Sequence, residues 1–130
     1  MRSVRIFKAF LLVLCPISVI ADEQFACKTV EFQTYKDAPA DFIEFNRDRL
    51  FMVTIRSDEV SVKDPTEETY KIFARRDGRI FAHSYWGMED GNITTIYQTL
   101  LFDTVNANGV ITLNHLQRPG ANNWVLNCIH

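Results

Sequence analysis

After Asp22 this chain alternates apolar and polar residues, and clusters of Gly, Pro, Asn, Asp and Ser break the alternation roughly every eight to twelve positions. Side chains of a strand point alternately to opposite faces, so a period of two lets one face bury while the other meets water. A chain patterned this way builds antiparallel sheet with short connections. The first run extends from Phe25 to Tyr35, with Val30 and Phe32 expected on one face. Asp37-Ala38-Pro39-Ala40-Asp41 interrupts it. The stretch from Phe42 to Asn46 has two readings: a short helical turn capped by Asp37 or Asp41 and presenting Phe42 and Phe45, or a brief strand. Its shortness favours a strand or an irregular connection.

Further on, Phe51, Val53 and Ile55 set the phase of a second strand, Ser57-Asp58-Glu59 turns, and Val60 and Val62 return. Asp64-Pro65-Thr66-Glu67-Glu68 reads as a polar loop, because proline has no N–H to give a central ladder. Tyr70, Ile72 and Ala74 alternate with Lys71 and Phe73. Asp77-Gly78 between two β-rich runs is a strong hairpin signal, after which Ile80, Ala82, Ser84 and Trp86 alternate with Phe81, His83 and Tyr85. Residues 87–92 turn, and residues 93–105 form the longest β-rich stretch. Its doublet Leu100-Leu101 implies burial on both faces or a bulge. Asn106 to Gly109 suits left-handed turn conformations, Val110 to Leu113 begins another strand, and Arg118 to Asn123 ends it. Trp124, Leu126 and Cys128 mark one face of the last strand. The expectation is an all-β fold, a small antiparallel meander of about eight strands. Hairpin-length connections favour a barrel, with a two-sheet β-sandwich as the alternative.

The N-terminal segment has a different character. Arg2, Arg5 and Lys8 precede an uncharged apolar run from Ala9 to Ile20, and Val19-Ile20-Ala21 leads into Asp22-Glu23. A basic head, a short apolar middle and small or β-branched residues at −3 and −1 are what signal peptidase reads. The run is shorter than the roughly 20 apolar residues of a spanning helix, and Pro16 lies within it. Residues 1–21 are therefore expected to be a cleaved signal peptide, and 22–130 a single β domain that is periplasmic or secreted. Cys15 would be lost with the signal; Leu14 before it and Pro16 after it fit a lipoprotein site poorly. Cys27 and Cys128 remain near opposite ends and are expected to pair in an oxidising compartment.

Charge narrows the partners. The three basic residues leave with the signal and no acidic residue does, which moves the formal charge from −2 to −5. A net-negative domain is not drawn to nucleic acid or anionic membranes by bulk electrostatics. No metal or cofactor motif is present. His83 and His115 could meet only across strands, and His130 has just Cys128 nearby. The acid pairs Asp58-Glu59, Glu67-Glu68 and Glu89-Asp90 read as solvated turn acids, and glycine loops for phosphate and Gly-x-Ser-x-Gly elbows are missing. Asn92-Ile93-Thr94 is a glycosylation sequon if the host glycosylates.

The most distinctive surface is the hairpin tip Arg75, Arg76 and Arg79, whose flanking strands contain Phe73, Phe81, Tyr85 and Trp86. Arginine with large aromatics is the composition of protein interfaces. Arg75, Arg76, Arg79, Tyr85 and Trp86 are accordingly the candidate binding residues; the competing reading is a soluble hairpin tip with its aromatics in the core. In size and cysteine-clamped β plan the chain is similar to exported bacterial lysozyme-inhibitor domains, a likeness that brings no residue across. The functional expectation is a secreted or periplasmic binding module for a protein or an envelope component, with an inhibitor-like mode as one form of it. The first alternative is a small-ligand carrier of lipocalin-like barrel type, and an enzyme of unknown class is the second.

Overall fold

Period-two patterning becomes eight strands and one helix over the residues that the computed structural model describes, 21–86, 96–115 and 120–130. They are β1 (Glu23–Gln33), α1 (Ala40–Arg47), β2 (Leu50–Ile55), β3 (Glu59–Asp64), β4 (Thr66–Arg76), β5 (Arg79–Trp86), β6 (Ile96–Asp103), β7 (Asn108–His115) and β8 (Ala121–Ile129). The expected signal up to Ile20, the 87–92 turn, residues 93–95 of the longest run, the Asn92 sequon and Arg118-Pro119 lie outside the described residues.

Each strand pairs antiparallel with the one before it, and β8 closes onto β1, so the sheet is a closed barrel rather than a sandwich. Closure removes the free edges through which an open sheet aggregates. Phe25, Val53, Val60, Tyr70, Ile80, Leu100, Phe102 and Leu126 point inward and are fully buried. Lys28, Lys63, Glu67, Lys71 and Asn127 take the outward phase. Among the described residues no helix is long and apolar enough to cross a membrane.

Local chemistry fixes the connections at the end of the barrel where Phe25 meets Phe102, with ring centroids 5.0 Å apart. Asp77 and Gly78 both have positive φ, 51° and 77°, the two-residue turn that matches strand twist. A Cβ on Gly78 would stand 2.7 Å from Val105 Cγ2, so the turn needs glycine for space as well as for φ. Between β6 and β7, Asp103 accepts from the Val105 and Asn106 amides and from the Asn106 side chain. Cys27 and Cys128 sit directly opposite each other on β1 and β8 and are joined by a disulfide, 101 positions apart in sequence. In the chain-entropy account a loop of that length stabilises the fold by about 4–5 kcal/mol.

Four expectations change. Residues 40–47 are helical, not a strand or irregular link. Pro39 occupies the N-cap position without a side-chain cap, Ile43 N donates to the Pro39 carbonyl, and Asp41 and Arg47 complement the helix dipole. Packing decides this short helix: Phe42 lies 6.0 Å from Phe32 and 6.4 Å from Tyr35, centroid to centroid. Val30 and Phe32 do not share a face, because a bulge between Thr29 and Glu31 turns Val30 outward. Leu100-Leu101 is neither doubly buried nor bulged; β6 pairs continuously with both neighbours and leaves Leu101 on the outer face. Finally, Pro65 alone joins β3 to β4, so Glu67 and Glu68 are strand residues rather than loop acids.

Candidate functional site

Strict alternation would make the outside of this barrel polar, and over β4, β5 and β6 it does not. Phe73, Phe81, His83, Tyr85, Tyr97 and Leu101 all take the outward phase there. The register sets Phe81 opposite Leu101, His83 opposite Thr99 and Tyr85 opposite Tyr97. A second bulge, between Ile72 and Ala74, adds Phe73 and lays its ring 4.5 Å from Phe81 and 5.2 Å from His83. His83 in turn is 6.0 Å from Tyr97 and 6.3 Å from Tyr85. The rings pack on one another yet stay open to water: Phe73 is 56 %, Tyr85 62 % and Leu101 51 % exposed. Mutual packing of exposed rings makes a preformed surface with little side-chain freedom left to lose on binding.

The apolar surface continues around the wall. Leu101 pairs with Val110, Val110 with Val125, and the bulged Val30 stands beside Val125. Both residues inserted by bulges, Val30 and Phe73, are thus apolar, exposed and placed at the two ends of one row. Isolated exposed apolar side chains are ordinary, whereas a contiguous set of this extent marks an interaction surface.

The predicted binding residues separate. Arg79 lines the groove beside Leu101, Val110 and Val125, and its Nε lies 3.7 Å from Asp103 Oδ2. Arg75 donates to the Arg56 carbonyl, and Arg76 is fully solvated beside Asp77. Tyr85 belongs to the aromatic set. Trp86 ends β5 opposite Ile96, and its side chain lies outside the described residues. Arg79 and Tyr85 are six positions apart on an extended strand, roughly 20 Å, so the arginine tip and the aromatics are neighbouring parts of one ribbon and not one cluster. The reading of Phe73 and Tyr85 as core is overturned by their exposure. Phe73, His83, Tyr97 and Leu101 were not among the candidate binding residues; the signal was there, since each is out of phase with the buried series. His83 faces outward and His115 takes the inward phase of Ile111 and Leu113, so the two cannot share one metal. Among the described residues no three His, Cys, Asp or Glu side chains gather as a metal site.

The helix end of the barrel holds a second constellation. A cavity of about 170 Å³ is lined there by Arg49, Asp64, Glu68, Tyr70, Gln98, Leu113 and Trp124, among others. Arg49 Nε contacts Asp64 Oδ2 at 2.6 Å, and its guanidinium lies 5.0 Å over Phe51 and 5.4 Å over Trp124. Tyr70 donates to Gln98 Oε1, and Ser84 to Glu68 Oε1. Burial, and then the negative charge of Glu68, push the Tyr70 phenol above its ordinary value against the opposing pull of Arg49, so the hydroxyl stays protonated. No protein-family model, curated protein or solved structure matches this chain.

Proposed function

We propose that this protein is an exported binding module that holds a protein partner against the outer face of β4, β5 and β6. One observation carries the reading: packed aromatic rings stand exposed on a sheet face where the alternation calls for polar residues. Tyrosine, phenylalanine and histidine on a rigid wall supply large contact area with few rotamers to freeze. Arg75, Arg76, Arg79 and Lys71 lie at the tip and along β4, giving a net-acidic chain a locally basic rim. The partner suited to this face has an apolar centre and acidic residues around it. Export rests on the N-terminal segment, and the Cys27–Cys128 bridge supports an oxidising compartment, periplasmic or extracellular. A carrier of drug-sized cargo is less well supported, because such pockets run to about 300–1,000 Å³ and the mouth cavity is smaller.

The test is site-resolved. A photo-reactive side chain at Tyr85 or Tyr97 is expected to give one discrete adduct in the native compartment, and the same group at Lys63, outward on β3, none. Phe73→Ser with Tyr85→Ser should abolish the adduct formed from Tyr97 and leave the far-UV spectrum and melting temperature of the barrel nearly unchanged. Equal labelling from Lys63 and Tyr85 overturns the proposal.

A further inference from the structure

Among the described residues the charges at the barrel mouth do not balance. Among the described residues Arg49 is the cation that lines the cavity, and it is already committed: Asp64 holds its Nε, Asn46 Oδ1 accepts from Nη1, and aromatic rings cover its plane. Glu68 is a second carboxylate, on the inner phase of β4 opposite the buried Val62. Its hydrogen-bond partner among the described residues is the neutral Ser84 hydroxyl, at 2.5 Å. One negative charge is thus left over in partly buried surroundings, where an opposite charge is attracted far more strongly than in bulk water.

A second observation points to the same cavity. Trp124 lines it and is only 4 % exposed, and its Nε1–H has no acceptor among the described residues. A buried donor left without an acceptor is uncommon in folded proteins and is destabilising. A ligand that brought an acceptor to it would relieve that cost. Size sets the remaining limit. About 170 Å³ is close to the roughly 150 Å³ that accommodates a benzene ring, and Phe51, Leu113 and Trp124 give the cavity apolar walls.

We propose that the barrel mouth binds a small organic cation. Its protonated amine lies against Glu68, its single ring or comparable apolar body among Phe51, Leu113 and Trp124, and an oxygen on it accepts from the indole N–H. This site is inside the barrel and independent of the outer aromatic face. Calorimetric titration with tyramine, 4-ethylphenol and 4-hydroxyphenylacetate tests it, because the three share a ring and a phenol oxygen and differ in charge. Tyramine is expected to bind at least roughly tenfold more tightly than the neutral phenol, the effect of one charge-assisted contact, with the anion weakest. Glu68→Gln should erase that preference while keeping the affinity for 4-ethylphenol, since a glutamine oxygen still accepts from Ser84. The indole N–H resonance assigned to Trp124 should move on adding tyramine, and Phe73→Ser with Tyr85→Ser should leave the affinity unchanged. Equal affinity for the three compounds, no heat from tyramine, or an unmoved Trp124 resonance overturns the proposal. The unsubstituted protein decides it even if Glu68→Gln does not fold.

Discussion

Asp103 shows how one carboxylate sets a turn. The Asn106 amide and side chain, and then the Val105 amide and Arg79, hold its pKa below the usual aspartate range. A depressed folded-state value means that its contribution is present above the unfolded pKa and is lost as pH falls through the folded one. Asp103→Asn is therefore expected to lower the melting temperature at neutral pH. The gap from the unsubstituted protein should close in acid, below the ordinary aspartate range; thermal melts from neutral pH into acid check this, and a gap that persists there contradicts it. Glu68 is the opposite kind of residue. Nothing in the run Pro65-Thr66-Glu67-Glu68 distinguishes it from a solvated acid, and only a one-residue connection at Pro65 starts β4 early enough to turn it inward. Trp124 was likewise visible as a core phase, but its stacking with Arg49 joins residues far apart in sequence, which local pattern cannot express.

At the level of elements, strand number, strand order and the Asp77-Gly78 hairpin were legible because period-two alternation and turn chemistry are local. The bulges and the helix were not. A bulge adds one residue without any composition signal, so the reading kept Val30 in phase with Phe32 and Ala74 in phase with Ile72. Helix α1 is too short to announce itself by periodicity, and it forms because Phe42 has Phe32 and Tyr35 to pack against. Phe42→Ala should therefore weaken the helix and the wall beneath it together. The expected loss is about 1–3 kcal/mol, less than the roughly 3–5 of a fully buried phenylalanine, since Phe42 is half-buried. Denaturant titration reads it, and a loss confined to helix signals with global stability intact would show that α1 is an appendage.

For the whole molecule, closure and the disulfide act on the same seam. β1 and β8 make the last contact of the meander, and the Cys27–Cys128 bridge spans that pairing directly. Replacing both cysteines by serine is expected to lower stability by about 4–5 kcal/mol, chiefly by releasing the unfolded chain. Hydrogen exchange should then become fastest along the β1–β8 ladder, ahead of β5–β6; uniform acceleration around the wall would argue against a special seam. The same seam has a geometric corollary. The strands follow sequence order once around the circumference, and the first and last are bonded neighbours, so the wall has no privileged starting stave. A circular permutant that links His130 to Asp22 through a short spacer and opens between Asp77 and Gly78 would visit the same staves in the same cyclic order. The former covalent clasp would then tie two interior hairpin arms together instead of the two tails.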